Sequence, residues 1–147
     1  MPGWLADEMS MVVFPDRSPI ILVIDDDEKM RDLMVEILSS VGFKVISAGS
    51  SEEGLAIAMT EPPDLVVCDV VLPDALGFDT VKMLKAHPTT SHVPCLLVTG
   101  YPEMLNHVEA RSAQVLQKPF STAQIVEMIT IALESRPARP EDRISNN

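Results

Sequence analysis

Four groups of polar residues each stand directly after a short apolar run, and they include the side chains best suited to hold a metal ion. An acidic run, Asp25-Asp26-Asp27-Glu28, follows the first apolar run, and a single aspartate, Asp69, follows another. Thr99 and Lys118 follow two more. Taken singly, each has an ordinary structural explanation, since acidic residues before a helix complement its dipole and a loop aspartate bonds local backbone. Their joint position is what needs explaining.

The apolar runs that precede these residues predict a parallel β-sheet. Ile20 to Ile24, Leu65 to Cys68 and Cys95 to Val98 are continuous and lack in/out alternation, as expected for strands buried on both faces. A more mixed strand, Phe43 to Ala48, is expected at an edge of the sheet, and Val115-Leu116 supplies a short fifth strand.

Segments of helical period separate the predicted strands, and polar caps mark where some of them begin. The predicted helices or their starts are Met30 to Val41 with Gly42 as its C-terminal cap, the capping boxes Ser50-x-x-Glu53 and Ser121-x-x-Gln124, Gly77 to His87, and a short fourth helical segment from Pro102. Strands and helices therefore alternate, and right-handed crossovers place the first strand near the middle. The sequence predicts an α/β fold with a doubly wound, five-stranded parallel sheet of order 2-1-3-4-5.

This topology brings the four polar groups to one edge of the sheet. In open sheets of this kind, ligands bind at the carboxyl ends of the strands. An acidic pair and Asp69 meeting there would repel one another and raise a pKa unless a cation joined them. Carboxylate oxygens are ligands for hard divalent cations, so the sequence predicts a metal site with Mg²⁺ as the default ion.

In this order and strand context, the motifs ILVIDDD, LVVCDVVLPDALG, LLVTG and LQKPF resemble the receiver domain of bacterial response regulators. The resemblance covers about residues 18 to 135 and implies a flavodoxin-like fold, in agreement with the periodicity. It implies that Asp69 is the phosphoacceptor, which attacks the phosphohistidine of a histidine kinase or histidine phosphotransferase and becomes an acyl phosphate. The other implied roles are metal ligation by Asp25, Asp26, Asp69 and the backbone carbonyl of Val71, and phosphoryl contacts from Thr99 and Lys118.

Elementary chemistry agrees with these implied roles. Phosphoryl transfer through a loose transition state requires mainly in-line positioning and compensation of charge on the equatorial oxygens. Pro73 and Gly77 are expected to shape the loop after Asp69. The peptide between Lys118 and Pro119 can adopt either isomer, and the family has the cis form.

The chain departs from the usual receiver near Lys118. Receivers commonly carry Tyr or Phe three residues before this lysine, as a switch that follows the threonine, whereas this chain has Val115. Thr99 and Lys118 are only 19 residues apart, which is short by nearly one helical turn. We therefore expect the fourth helical segment to be short or irregular.

The stretch from Pro94 to Tyr101 resembles the P-F-x-F-A-T-G-Y stretch of single-domain receivers called the FATGUY subgroup, although some of its apolar positions differ. That resemblance implies a missing switch aromatic, a mobile fourth helix and action in phosphorelays or stress circuits without an attached output domain. We hypothesise that Tyr101 replaces the missing aromatic and couples Thr99 to the fourth helical segment. The simpler alternative is that Tyr101 packs on the surface.

Composition predicts the domain organisation, the kinds of partner and the cellular location. The 147 residues predict one domain, with a flexible N-terminal extension at 1–17, the receiver at 18–135 and a disordered tail at 136–147. The net charge of −11 predicts no binding to nucleic acid or to anionic membrane. We predict a cytoplasmic monomer or weak dimer, because neither a membrane-spanning run nor a basic signal segment stands out. Both cysteines lie in apolar contexts and are predicted to be buried, and His87, His92 and His107 are predicted to face solvent.

The sequence thus predicts a stand-alone receiver, because only 12 residues follow Ser135. It would signal to an unidentified protein target through phosphorylation-dependent contact, as a signalling protein rather than an enzyme. One alternative is an interaction module of the same fold that does not use phosphorylation. A less favoured one is a Mg²⁺-dependent phosphohydrolase that forms an aspartyl phosphate, whose D-x-D-x-T/V motif is not matched by Asp25-Asp26-Asp27-Glu28-Lys29.

Overall fold

The two ends of the described fold meet at one buried carboxylate. The computed structural model of the chain describes residues 17–107, 109–110 and 113–136, so the predicted extension before Arg17 and the predicted tail after Arg136 lie outside the described residues. The side chain of Asp64, just before the third strand, is fully buried and pairs with Arg17 at 3.2 Å and Arg136 at 3.7 Å. Asp64 also accepts the backbone N–H of Ile20 at 2.7 Å.

Five parallel strands form one sheet in the order β2-β1-β3-β4-β5, which confirms the predicted topology. The strands are β1 (Ile20–Ile24), β2 (Lys44–Ala48), β3 (Leu65–Asp69), β4 (Cys95–Thr99) and β5 (Gln114–Gln117). β1 and β3 are buried along their whole length, whereas β2, at the edge, begins with an exposed lysine. The carboxyl ends of β1 and β3 are therefore neighbours in the interior of the sheet.

In the part of the chain that the structure describes, four α-helices cover the two faces of the sheet, and polar caps begin three of them. They are α1 (Glu28–Ser40), α2 (Ser51–Thr60), α3 (Gly77–Ala86) and α4 (Thr122–Glu134). The capping box at the start of α4 is complete. The predicted box at α2 is half formed, because Ser50 accepts the N–H of Glu53 but the Glu53 carboxylate accepts from Gly49 instead of Ser50.

Successive residues of the strands belong to two separate cores. Ile21 and Val23 of β1 pack with α1 and α4 on one face, while Leu22 and Ile24 pack with α2 and α3 on the other. Cys68 lies in the second core, and burial raises the pKa of its thiol. Cys95 is partly buried and burial raises its pKa to about 11, so both thiols are protonated at neutral pH.

The fourth helical segment is a 3-10 helix of five residues, Pro102–Asn106, which confirms the prediction of a short or irregular element. His107, which follows it, is half-buried and stacks on Phe78 of α3 with ring centroids 4.8 Å apart. The prediction that all three histidines face solvent is therefore wrong for His107, because the ring of Phe78 provides a flat apolar partner. His92 is half-buried as well, and only His87 of the three is exposed. Lys82 of α3 also pairs with Glu109.

Within residues 17–107, 109–110 and 113–136, every helix is too short or too polar to span a lipid bilayer.

Gly77 begins α3 because no side chain fits at its position. Its N–H donates to the carbonyl of Val70 at 2.6 Å. A Cβ built there would overlap the carbonyl oxygen of Asp69 and lie 3.0 Å from the Cα of Val70. Backbone cannot yield as a flexible side chain does, so glycine sets how closely α3 approaches the end of β3.

We expect Gly77→Ala to destabilise the protein by about 1 to 3 kcal/mol, because the added methyl group pushes α3 away from β3. Gly100→Ala is the matched control, since no heavy atom lies within 4 Å of a Cβ at that position. The free energy of unfolding from denaturant titration measures both. An equal, small effect of the two substitutions would contradict the steric argument.

Candidate functional site

The predicted site residues meet at the carboxyl edge of the sheet. Asp25 follows β1 directly, Asp69 and Thr99 are the last residues of β3 and β4, and Lys118 follows β5. Together with Asp26, Asp27, Val71, Gly100 and Tyr101, three of them (Asp25, Asp69 and Lys118) line a cleft of about 510 Å³. Thr99 is fully buried, and its neighbours Gly100 and Tyr101 line the cleft in its place.

Three carboxylates lie together in this cleft. One oxygen each from Asp25, Asp26 and Asp69 falls within 4.8 Å of the others. Asp25 and Asp69 are buried and Asp26 is exposed, so the cluster opens to solvent on one side. Backbone N–H groups orient the two buried carboxylates, since Asp27 donates to Asp25 at 2.9 Å and Val71 donates to Asp69 at 3.0 Å.

Lys118 is the cation between the two buried carboxylates. Its Nζ donates to Asp25 at 2.7 Å and to Asp69 at 2.9 Å. Burial lowers the pKa of Lys118, but the bonds to Asp25 and Asp69 outweigh it, so the net shift is upward. Burial raises the pKa of Asp69, although Lys118 and the Val71 N–H act against it. Burial outweighs these bonds, so the pKa of Asp69 lies above the ordinary carboxyl range even with Lys118 beside it.

Thr99 accepts backbone N–H groups from the segment that follows β4 and from the segment that follows β5. Its Oγ1 accepts the N–H of Tyr101 at 3.0 Å, and its carbonyl accepts the N–H of Lys118 at 2.7 Å. The peptide between Lys118 and Pro119 is cis. The hydroxyl of Thr99 is therefore held at the end of β4, one strand away from Asp69.

Tyr101 is 52% exposed, and the bonds between this residue and Thr99 use its backbone. Its role as a replacement switch stays a prediction. Val71 lines the cleft and bonds Asp69 through its N–H. Metal ligation by its carbonyl likewise stays a prediction.

Two residues near the cleft were missed by the sequence analysis. Arg31 of α1 donates to the carbonyl of Asp25 at 2.7 Å. The carboxylate of Asp74 accepts the N–H groups of Ser51 and Glu52, both at 2.9 Å, at the start of α2. These contacts join residues far apart in sequence or in different elements, and no local spacing indicates them.

The donor set fits a hard divalent cation. Carboxylate oxygens are what Mg²⁺ prefers, and it keeps several waters when few protein ligands are present. The exposed side of the cluster at Asp26 leaves room for such waters. A second positive charge near Asp25 and Asp69 would offset the repulsion that Lys118 only partly compensates.

We expect Lys118→Met to lower the free energy of unfolding by about 1 to 3 kcal/mol, because it leaves two buried carboxylates without their cation. Lys82→Met is the matched control: Lys82 pairs with Glu109 but its side chain is 62% exposed. Exposed pairs contribute about 1 kcal/mol or less. Denaturant titration in metal-free buffer measures both variants, and losses of equal size would contradict a special role for Lys118.

Comparison with known proteins identifies the family. The model of the response regulator receiver domain matches residues 21–130. Regulatory protein VirG of Agrobacterium fabrum (strain C58) is 34% identical over 131 residues, which cover 85% of this chain and 51% of VirG. The alkaline phosphatase synthesis transcriptional regulatory protein PhoP of Bacillus subtilis (strain 168) is also 34% identical over 131 residues, covering 86% and 54%.

A solved structure is similar as well. The CheY-like response regulator receiver domain protein of Methanospirillum hungatei JF-1 has a TM-score of 0.72 and 31% identity, over 80% of this chain and 94% of that one. The chain spans about half the length of VirG and PhoP. With the fold, the strand-end residues and the match over 21–130 in agreement, the chain belongs to the response regulator receiver domain family.

Proposed function

We propose that this protein accepts a phosphoryl group on Asp69 from the phosphohistidine of a histidine kinase or histidine phosphotransferase. One observation carries the proposal: the Asp69 carboxylate lies at the end of a buried strand, in an open cleft, with Asp25, Asp26 and Lys118 around it. The family to which the chain belongs supports the same conclusion. The protein is then a signalling phosphoacceptor that takes part in its own phosphorylation, rather than an enzyme acting on a separate substrate.

In the proposed transfer, a carboxylate oxygen of Asp69 forms a bond to phosphorus while the bond from phosphorus to the donor's imidazole nitrogen breaks. The nitrogen keeps the electron pair and takes up a proton, and Asp69 becomes an acyl phosphate. Lys118 and the hydroxyl of Thr99 each bond one phosphoryl oxygen. A loose transition state needs charge compensation at these oxygens more than it needs a strong nucleophile.

Asp25, Asp26, Asp69 and the carbonyl of Val71 would hold Mg²⁺ in this site. When bound, Mg²⁺ screens the repulsion between the acidic cluster and the incoming phosphoryl group. Asp25 and Asp26 would keep the ion next to Asp69, and the bond from the Val71 N–H keeps the Asp69 carboxylate oriented. Lys118 already contacts two of the carboxylates and keeps one cation beside Asp69 throughout.

We infer that phosphorylation changes a surface that a partner protein recognises. VirG and PhoP are regulatory proteins about twice as long as this chain, so their outputs are not transferred to it. The stand-alone state, the cytoplasmic setting, the absence of nucleic-acid binding and the FATGUY subgroup stay predictions. The net charge of −11 supports contact with proteins over contact with nucleic acid.

The proposed chemistry predicts a phosphoryl adduct on one residue. Incubated with Mg²⁺ and acetyl phosphate or a phosphorylated kinase, the parent protein should gain the mass of one phosphoryl group in an intact-mass spectrum. Asp69→Asn should gain none, and chelation of Mg²⁺ should abolish the gain by the parent. Asp32→Asn, which changes an exposed aspartate of α1, is the matched control and should react like the parent.

Two results would contradict this assignment. Equal labelling of the parent and Asp69→Asn would place the adduct elsewhere. No labelling of the parent by small donors or by kinases would favour the alternative of an interaction module that does not use phosphorylation.

The hypothesis about Tyr101 predicts a change in the 3-10 helix. The backbone of Tyr101 is bonded to Thr99, and the 3-10 helix begins at the next residue. Beryllofluoride, a phosphoryl mimic, should therefore sharpen or shift the amide resonances of residues 103–107 in nuclear magnetic resonance spectra, and Tyr101→Ala should reduce that change. Exchange broadening that is the same with and without the mimic would exclude the coupling.

A further inference from the structure

The loop after Asp69 is a small hairpin that is fastened at its base. The N–H of Gly77 donates to the carbonyl of Val70 at 2.6 Å, and Val71 pairs with Leu76 as an isolated antiparallel bridge. The N–H of Val71 also bonds the Asp69 carboxylate. The orientation of Asp69 therefore depends on where the hairpin backbone lies.

Asp74 fastens the tip of this hairpin to another element. It lies in the turn that the N–H of Leu72 closes onto the carbonyl of Ala75 at 3.1 Å. Its Oδ1 and Oδ2 accept the N–H groups of Ser51 and Glu52, each at 2.9 Å. The first N–H groups of a helix have no partner within the helix, and a carboxylate there interacts favourably with the helix dipole. These bonds hold the pKa of Asp74 below its usual range, so it stays ionised.

Ser51, one of the two residues of α2 that Asp74 contacts, is itself held in place. The hydroxyl of Ser51 lies 2.6 Å from the hydroxyl of Thr80 in α3, and both residues are buried. The hairpin leads directly into α3 at Gly77. The tip of the hairpin, the start of α2 and the first turn of α3 are thus joined in a closed ring, by polar contacts and by the chain itself.

Asp74 does not belong to the carboxylate cluster, which consists of Asp25, Asp26 and Asp69 among the described residues. Both of its carboxylate oxygens are used by α2. The contacts that join this residue to the cleft run through the hairpin backbone to Val71, whose N–H bonds Asp69. Residues that orient the ligands of a metal ion commonly have a strong influence on the affinity of the protein for that ion.

We propose that Asp74 is a positioning residue of the phosphoacceptor site, an inference that rests on the proposed function. By holding the hairpin tip against α2, it fixes the backbone of Val71, which orients Asp69 and is the fourth ligand proposed for Mg²⁺. Loss of the Asp74 carboxylate frees the tip, so that the bond from Val71 to Asp69 forms for a smaller fraction of the time.

The test compares Asp74→Ala and Asp74→Asn with Ser50→Ala. Ser50 caps the same helix by accepting the N–H of Glu53, but it has no bond to the hairpin. Ser50→Ala therefore reproduces the loss of helix capping alone. Four quantities are measured on each variant of the whole chain: the melting temperature, the affinity for Mg²⁺ alone by calorimetry, the rate of phosphorylation by acetyl phosphate, and the hydrogen exchange of the Val71 amide without metal.

We expect Asp74→Ala to weaken Mg²⁺ binding about tenfold and to slow phosphorylation to a similar degree. Exchange of the Val71 amide should become faster. Asp74→Asn keeps one acceptor oxygen and should fall between Asp74→Ala and the parent. Ser50→Ala should lower the melting temperature while keeping the parent's Mg²⁺ affinity and Val71 exchange.

If Asp74→Ala and Ser50→Ala lose the same stability and both bind Mg²⁺ as tightly as the parent, Asp74 is only a helix cap and the inference is overturned. That outcome leaves phosphorylation of Asp69 in the parent intact, so the proposed function survives it. A parent that neither binds Mg²⁺ nor becomes phosphorylated overturns the function, and the inference with it.

Discussion

Concentrated negative charge at one edge of the sheet is the constraint on which the rest of the structure depends. Asp25 and Asp69 are buried beside each other, and Asp26 adds a third carboxylate within 4.8 Å. Burial removes these two carboxylates from most of the solvent that would screen their charges, so a cation in contact with both stabilises them. Lys118 does so from β5, which is separated from β3 by β4. A long side chain is needed to reach across β4 to Asp69, whereas Thr99 stands on β4 itself and has a short side chain.

The sheet order and the loop lengths follow from this requirement. β1 and β3 must be adjacent for their terminal carboxylates to meet, and the order 2-1-3-4-5 makes them so. Gly77 then lets α3 start against the end of β3, which keeps the loop after Asp69 short and its backbone close to the cluster. Helix starts, loop turns and strand ends are thus arranged around one group of charges.

Much of this arrangement could be predicted from the sequence, because it depends on local patterns. Continuous apolar runs located β1, β3 and β4, and polar residues at their ends located the cleft. Contacts between distant side chains could not be predicted in this way. Asp74 caps a helix that starts 23 residues earlier, and His107 stacks on Phe78 of another element. Such pairs depend on how elements pack in space, which no spacing along the chain records.

The ion pairs of Asp64 have a consequence for handling the protein. Asp64 precedes β3, so Arg17 and Arg136 meet it at the amino-terminal edge of the sheet, opposite the acidic cleft. The chain therefore enters and leaves the described fold on the side away from Asp69. Affinity tags, fluorescent proteins or surface linkers attached beyond either point are therefore joined to the described fold on that side, and not beside Asp69.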